Sequence, residues 1–262
     1  MIGTVVGLWR YPVKSMLGER RESLQLERRG VVGDRLYAIR DEAGKFGSGK
    51  TTRRFRLMDG LYQFRARYEG DTPLITFPDG SSLKGDDPAI HARLSDTLGI
   101  NVELSREADI SHFDDGPIHL VTTASLRALG ELLAQDEIQD EVDARRFRPN
   151  IVVETDGEDF QEDNWEGHDI LLGDVVRLRV TKQTERCVMV NFAWGELREE
   201  PRALRALAQA HDACMGVYAD ALTPGLLRTG VWPLEDRLPK STVLCTGRVA
   251  GYPTVQGQMR LW

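Results

Sequence analysis

The stretch DILLGDVVRLRV, residues 169–180, predicts a β-hairpin and is the strongest single indication of the fold class. Both of its arms are short and apolar, and the second is rich in β-branched valine, which favours strands. Gly173-Asp174 separates the arms as a two-residue turn, because both residue types tolerate the backbone conformations of tight hairpins. The pattern therefore favours a β-rich fold at this point in the chain.

Short strands separated by turn residues are predicted along most of the remaining sequence. A second hairpin is indicated at Asp79-Gly80, which separates LITFP (74–78) from SSLKG (81–85). The other predicted strands cover residues 2–8, 35–40, 61–68, 119–122, 150–154 and 243–249, many of them rich in β-branched or aromatic residues.

Three helices are predicted among these strands. The first has Pro88 in its first turn and Gly99 as its stop, the second covers about 124–135, and the third begins near Pro201. Few helices among many strands predict a mainly β fold with peripheral helices, arranged as barrels or sandwiches. A polar, acidic stretch at 106–117 suggests three parts: residues 1–108, 109–232, and a C-terminal extension, 233–262, that packs on the body.

The composition indicates an ordinary globular protein, with 41% hydrophobic and 29% charged residues. The formal net charge is -7, so no overall positive field favours nucleic acid or an anionic membrane. The first residues lack the pattern of a signal peptide, and no apolar run approaches the ~20 residues needed to span a bilayer. We therefore expect a cytoplasmic protein that binds neither nucleic acid nor membrane.

The stretch GKFGSGKT, residues 44–51, satisfies the phosphate-loop pattern G-x-x-x-x-G-K-[ST]. In that motif a helix follows the lysine at once, since the helix N-terminus supplies part of the field that binds phosphate. Here Asp59-Gly60 interrupts any such helix, and the surroundings lack β-α alternation. We interpret the stretch as a glycine-rich hairpin loop with solvent-facing basic residues, which makes nucleotide hydrolysis the weakest of four functional hypotheses.

The three cysteines, Cys187, Cys214 and Cys245, form no C-x-x-C pair. This spacing argues against a disulfide framework and against a four-cysteine metal site. Cys214 and Cys245 are interpreted as small buried residues. Cys187 directly follows Arg186 at the predicted start of a strand, and adjacent positive charge favours the thiolate that binds soft metals or accepts sulfur.

Basic and hydroxyl side chains recur at turns, although the net charge is acidic. They are Lys14 and Ser15 after Tyr11-Pro12, Arg35 after Gly33-Asp34, and Arg145, Arg146 and Arg148 before Pro149-Asn150. Each of these cations alone is typical of a solvated surface. Together they predict an oxyanion or phosphate site, provided that the fold brings them together.

Longer stretches of the chain carry a resemblance to a known family. They are LWRYPVKSMLGE (8–19), GDRLYAI (33–39), HLVTTASL (119–126), RFRPNIVVE (146–154), FQEDNWEGHDILLGDVVRLRV (160–180), TERCVMV (184–190) and ACMGVYADALTPGLLRTG (213–230). In order and spacing they resemble the family with an N-terminal MOSC β-barrel domain followed by a MOSC domain. That family includes the mitochondrial amidoxime-reducing component and its bacterial relatives.

The resemblance implies two β-barrel-like units that cradle a molybdenum cofactor, a pyranopterin with molybdenum and one phosphate. By position, Cys187 would be the molybdenum ligand and the catalytic residue. The implied cofactor-binding residues are Lys14, Ser15, Arg35, Thr122, Thr123, Arg148, Asn150 and Arg186. Proteins of this class reduce small N-hydroxylated compounds such as amidoximes and hydroxylamines, and the family is also associated with pyridoxal phosphate.

The sequence departs from the family's pattern at three places. Family members commonly follow the cysteine with an acidic D-P-x-T-G turn, whereas residues 191–195 here read NFAWG. An acidic residue often found after a glycine near the end is replaced in Gly230-Val231-Trp232. No ferredoxin-like cysteine cluster follows, so the resemblance implies an external electron-donor protein.

We therefore expect a molybdenum-dependent reductase of N-oxygenated substrates that uses Cys187. The alternative hypothesis is a sulfur-carrier or cofactor-delivery protein in which Cys187 bears a persulfide. A third hypothesis is an anion-binding module in which Cys187 only packs.

Overall fold

The structure of the protein, a computed structural model, describes residues 3–134, 142–157 and 159–230. The helices in these ranges are α1 (Ile90–Leu98), α2 (Thr123–Leu133) and α3 (Ala203–Ala210). The strands are β1 (Thr4–Arg10), β2 (Glu19–Arg21), β3 (Ser23–Glu27), β4 (Gly30–Val31), β5 (Tyr37–Asp41), β6 (Phe46–Ser48), β7 (Phe55–Leu57), β8 (Arg65–Glu69), β9 (Thr72–Thr76), β10 (Ser82–Lys84), β11 (Val102–Arg106), β12 (Ile118–Thr122), β13 (Ile151–Glu154), β14 (Asp169–Leu172), β15 (Val176–Glu185), β16 (Cys214–Thr223) and β17 (Gly225–Arg228). The predicted mainly β fold class is confirmed. The predicted extension, the strand at 243–249 and Cys245 lie outside the described residues.

The largest sheet has seven strands in the order β14-β15-β16-β12-β13-β1-β2. Neighbouring strands are antiparallel except β12 and β13, which run parallel. Its inward side chains, such as Leu120, Ile151 and Leu178, share one core with Leu26 and Leu227 of the β17-β3-β4 sheet. Burial of these apolar side chains is the main stabilising contribution to this part of the molecule.

The β11-β5-β6-β7 and β10-β9-β8 sheets pack with α1 around a second core. The predicted first helix is confirmed: Ile90 and Leu94 form its buried stripe, and Gly99 ends it at φ +68°. The four sheets have open strand orders in the described ranges. Strands from both sides of position 108 pair with each other, β1 with β13 and β17 with β3, so the two units interleave. None of the helices among the described residues is long and apolar enough to cross a membrane.

The turn of one predicted hairpin and the start of one predicted strand differ from the structure. The 169–180 hairpin forms, but Leu172 pairs with Val176, so its loop has the three residues Gly173 to Val175 rather than two. Residues 61–68 were expected as one strand, whereas Leu61–Gln63 is a 3-10 turn. Gly60, at φ +78°, leads into this turn, and the strand begins only at Arg65.

The glycine-rich stretch at 44–51 does not lead into a helix. Phe46–Ser48 forms β6, which pairs with β5 and runs parallel to β7, and turns fill the residues from Lys50 to Arg54. Without a helix after Lys50, the stretch lacks the anion-binding helix terminus of a phosphate loop. The buried end of β6 instead contacts the segment that follows Cys187.

Candidate functional site

Cys187 lies between the end of a strand and a 3-10 turn. β15 ends at Glu185, and the turn Val188–Asn191 begins directly after Cys187, whose carbonyl oxygen accepts the Val190 N–H at 3.1 Å. The strand predicted at Cys187 is therefore wrong, because pairing with β16 stops at Glu185. Cys187 is half-buried.

Arg186 directs its guanidinium toward the fold interior. Its Nη2 donates to the Phe147 carbonyl at 2.7 Å, and its Nη1 lies 3.3 Å from His119 Nε2. Burial lowers the pKa of His119 well below its usual range, and the positive charges of Arg186 and Arg35 add to this. A neutral His119 can accept the Arg186 N–H. The Nε of Arg186 is buried and has no hydrogen-bond partner among the described residues.

Arg35 is held at a left-handed backbone position, φ +48°, after the Gly33-Asp34 turn. Its guanidinium pairs with Asp34 and donates to the Arg148 carbonyl at 3.1 Å. Burial alone lowers the pKa of Arg35, but the charge of Asp34 outweighs it and raises that pKa above its usual value. Asp34 is fully buried and also accepts the Tyr11 N–H at 2.7 Å. The pair is a fixed feature of the interior.

Lys14 and Ser15 lie beside this pair on the loop after β1. The buried Lys14 Nζ donates to the His112 carbonyl at 3.0 Å and lies 2.5 Å from a carboxylate oxygen of Asp114, whose side chain is 60% exposed. Burial lowers the pKa of Lys14, and Asp114 opposes that effect. Ser15 has φ +62°, and its hydroxyl donates to the Gly47 carbonyl at 3.0 Å, which ties the loop to β6.

Arg148 packs between two aromatic rings rather than facing open solvent. Its guanidinium carbon lies 4.3 Å from the centre of the Tyr11 ring and 5.2 Å from that of Trp194, and it donates to the Met16 carbonyl. Burial, with a contribution from Arg35, lowers its pKa to about 10. Cation–π contacts of this kind favour a charged guanidinium in an otherwise apolar setting.

Asn150 connects two of these cations, Arg35 and Arg186, through His119. Its Oδ1 accepts the His119 N–H at 3.1 Å and lies 3.3 Å from Nη1 of Arg35, while its Nδ2 donates to the Trp9 carbonyl at 3.2 Å. The chain of contacts therefore runs from Arg186 through His119 and Asn150 to Arg35. Two of the predicted site residues behave differently.

Thr122 and Thr123 direct their hydroxyls to other partners. The Thr122 hydroxyl donates to the buried carboxylate of Glu162 at 2.7 Å and accepts the Ser125 N–H, which caps α2. The Thr123 hydroxyl oxygen accepts the Thr155 N–H at 3.1 Å. No contact in the described ranges joins either hydroxyl to Cys187 or to the cations. Their structural role is to fix the junction between β12 and α2.

The segment after Cys187 is anchored by residues outside the cofactor-binding set that the resemblance implies. Arg146 donates to the carbonyls of Val190 and Phe192 at 3.0 and 3.1 Å. Tyr62 places its ring 5.0 Å from those of both Phe192 and Trp194. Because Tyr62 lies about 130 positions earlier in the chain, only the folded structure brings it to this segment, and no local pattern marks it.

The charges near Cys187 do not cancel. Lys14, Arg35, Arg148 and Arg186 contribute four positive charges, whereas their carboxylate neighbours Asp34 and Asp114 contribute two negative charges. The excess of two positive charges suits an anion with more than one negative charge. No cluster of three or more His, Cys, Asp or Glu side chains able to hold a metal ion occurs within the described ranges. Among the described residues, Cys187 is the side chain suited to binding a soft metal here.

Two family models match the chain. The model of the MOSC N-terminal beta barrel domain matches residues 2–113, and that of the MOSC domain matches residues 107–231. Mitochondrial amidoxime-reducing component 1 of Mus musculus is 26% identical over 230 residues, covering 72% of this chain and 65% of that protein. Mitochondrial amidoxime reducing component 2 of Rattus norvegicus is 41% identical over 81 residues, covering 31% of this chain and 21% of that protein. The match thus spans less than two thirds of either relative.

Two solved structures are also similar. The YUAD protein from Bacillus subtilis has a TM-score of 0.49 and 14% identity, covering 88% of this chain and 93% of that chain. YiiM from Geobacillus stearothermophilus has a TM-score of 0.34 and 18% identity, covering 45% of this chain and 52% of that chain.

Proposed function

Because the chain is a MOSC domain protein with an N-terminal MOSC β-barrel domain, we propose that it binds a molybdenum cofactor through Cys187 and reduces N-hydroxylated compounds. The observation that carries the proposal is the half-buried Cys187 thiol directly beside the buried cation network. The substrate class is that of the mouse and rat relatives, which are amidoxime-reducing components.

The residues present fit such a cofactor. A pyranopterin phosphate is a multiply charged anion, and the network offers an excess of two positive charges. The unpartnered Nε of Arg186 is a buried N–H donor that a bound anion would satisfy. Thiolate is the side-chain ligand that prefers soft metals. Cys187 would hold the metal, and Lys14, Arg35 and Arg186 would hold the phosphate.

The other residues of the set would brace the site. Arg148 is fixed between two rings, Asn150 connects Arg35 to His119, and Ser15 ties its loop to β6. Because these three residues already make these contacts in the structure, they would hold the cations in place before the cofactor binds. Preorganised donors of this kind lose little flexibility on binding.

Reduction of an amidoxime to an amidine consumes two electrons and two protons and releases water. The bound molybdenum would supply the two-electron couple and an open coordination position. The chain would orient the cofactor through its cations and place the positive charge of Arg186 beside the metal-binding thiolate. Electrons would come from a separate electron-donor protein.

Metal analysis of protein made in a host that synthesises the cofactor tests the proposal. We expect about one molybdenum atom per chain, together with the fluorescence of oxidised pterin, and loss of both in Cys187→Ser because a hydroxyl is a poor ligand for a soft metal. Cys214→Ser is the matched control. Its thiol lies 3.6 Å from the Asp212 carbonyl, outside the network, and it should leave the metal content unchanged. Wild-type protein without molybdenum from that host would refute the proposal.

A sulfur-carrier function is the second candidate, favoured by the partial exposure of the Cys187 thiol. A carrier needs a thiol that a partner can reach. In that case intact mass would show an adduct of about 32 Da, one sulfur atom, on Cys187 that reductant removes. A molybdenum-loaded protein without the adduct would exclude the carrier.

A further inference from the structure

The hydroxyl of Tyr62 is buried and has no hydrogen-bond partner among the described residues. The residue is only 5% exposed, and its ring is held by Phe192 and Trp194 of the segment after Cys187. Buried hydroxyls in native proteins nearly always have a partner, so an exception requires an explanation. Phenylalanine would fill the same space without burying an unpaired polar group.

A second poorly satisfied hydroxyl lies in the same place. The buried Ser48 hydroxyl at the end of β6 has only the thioether of Met189, at 3.6 Å, as its partner. A thioether sulfur is a weak acceptor, so this hydroxyl also retains hydrogen-bonding capacity. Two donors with free capacity in an otherwise aromatic region form a small polar niche.

Gly49 lets the end of β6 pack closely against this niche. A Cβ atom at position 49 would lie 2.4 Å from Met189 Cγ and 2.8 Å from the Tyr62 hydroxyl oxygen. The position therefore requires glycine for space, so that the end of β6 can approach the segment after Cys187. Any larger residue would have to displace Met189, Phe192 or the Tyr62 hydroxyl.

The niche adjoins Cys187. Burial raises the pKa of Tyr62, and the negative charges of Asp59 and the Cys187 thiolate raise it further, so the hydroxyl keeps its proton at neutral pH. The Tyr62 ring lies against Phe192, five positions after Cys187, and the Ser48 hydroxyl lies against Met189, two positions after it. A ligand atom that satisfies the Tyr62 hydroxyl must be an acceptor, and an oxygen atom is the usual one.

We propose that the Tyr62 hydroxyl donates a hydrogen bond to the oxygen atom of an N-oxygenated substrate bound beside Cys187, with Ser48 as a second donor. The inference rests on the proposed function, because it assumes that such substrates bind at Cys187. The substrate oxygen then supplies the hydrogen-bond acceptor that the buried Tyr62 hydroxyl lacks. A product that has lost this oxygen cannot accept the hydrogen bond from Tyr62, and this favours its release.

Tyr62→Phe tests the inference in the molybdenum-loaded protein. Calorimetric titration without an electron donor should show roughly threefold to tenfold weaker binding of benzamidoxime, the effect of one neutral hydrogen bond. Binding of benzamidine, which lacks the oxygen, should be unchanged. The thermal unfolding temperature should stay the same or rise, because the hydroxyl has no partner to lose.

Tyr68→Phe is the matched control. The Tyr68 hydroxyl donates to the Gly33 carbonyl at 3.0 Å, so its removal should lower the unfolding temperature and leave benzamidoxime binding intact. Equal benzamidoxime affinity in Tyr62→Phe and wild type, or a loss of thermal stability in that variant, would overturn the inference. Molybdenum content is measured first: wild-type protein that lacks the metal, or that carries it and binds no benzamidoxime, refutes the proposed function itself.

Discussion

Arg35 belongs to the cation network near Cys187, and Tyr62 belongs to the aromatic set, which is Tyr62, Phe192 and Trp194. The polar groups of Arg35 and Tyr62 differ in their hydrogen-bond partners. The Arg35 guanidinium has a carboxylate, an amide oxygen and a backbone carbonyl as partners. The Tyr62 hydroxyl has none among the described residues and is held only by ring packing. The Arg35 guanidinium is therefore held in place in advance, whereas the Tyr62 hydroxyl is left free to donate.

The difference follows from the cost of leaving each group unpaired. An unpaired buried charge costs several kcal/mol, so a cation network must supply its own partners. An unpaired hydroxyl costs only about 1–3 kcal/mol, which the apolar burial of Tyr62, Phe192 and Trp194 can offset. The cation network is thus suited to holding a permanently bound anion. The aromatic set is suited to recognising a ligand that binds and dissociates in each reaction cycle.

Removing one charge from the cation network should have the largest effect on stability. In Arg35→Ala the fully buried Asp34 carboxylate loses its ion-pair partner, and we expect a loss of roughly 3–5 kcal/mol in the free energy of unfolding. Urea denaturation of wild type and variant measures the difference.

Arg21→Ala is the control for that prediction. Arg21 is exposed, and its Nη1 lies 3.4 Å from the Glu19 carboxylate, so the loss should stay below about 1 kcal/mol. Equal effects of the two substitutions would mean that the Asp34–Arg35 pair is not a buried pair in solution. The contrast between the two sets would then disappear.

A change of pH should have the next largest effect, through His112. This side chain is 2% exposed, its carbonyl accepts the Lys14 ammonium, and burial lowers its pKa to about 4 from 6.5. Between these values the unfolded chain binds a proton that the folded chain does not, so stability falls as the pH is lowered from 6.5 to 4. The expected loss is roughly 3 kcal/mol.

His112→Leu isolates this contribution. The substitution replaces the titratable imidazole with an apolar side chain of similar size. It should therefore flatten the pH dependence of the unfolding free energy over that window. His119 contributes in the same direction in both proteins, so the difference between the two curves is the relevant quantity. Identical curves would contradict a neutral His112 beside Lys14.

Part of the site could be predicted from the sequence, and the reason differs from residue to residue. The Arg186-Cys187 adjacency is local, so it is visible without a structure. Lys14 and Arg35 follow turns that the sequence marks with proline and glycine. Tyr62 could not be found, because its unpartnered hydroxyl depends on a segment about 130 positions later. Thr122 was expected at the cofactor, whereas in the structure its hydroxyl caps α2.

The fold was predictable where side chains are large and apolar. The hairpin at 169–180 and the three helices were found, but the ten-residue strand β16 was missed. β16 lies between β12 and β15, and small residues such as Gly216 and Ala219 let the neighbours approach. A Cβ atom at position 216 would lie 2.5 Å from the Leu120 carbonyl oxygen. The small residues that this close packing requires thus take the place of the β-branched and aromatic residues that mark a strand.

The smallest effect is expected at the exposed edge of the aromatic set. Glu196 accepts hydrogen bonds from Arg145 and from Arg65, the latter at 3.3 Å, and so joins the segment after Cys187 to both units, but its side chain is 55% exposed. Glu196→Gln should therefore cost less than about 1 kcal/mol in urea denaturation, and less still at high salt. If packing of Tyr62 and Trp194 holds this segment, benzamidoxime binding should not change. A larger loss of stability or of binding would show that charge, rather than ring packing, positions the aromatic set.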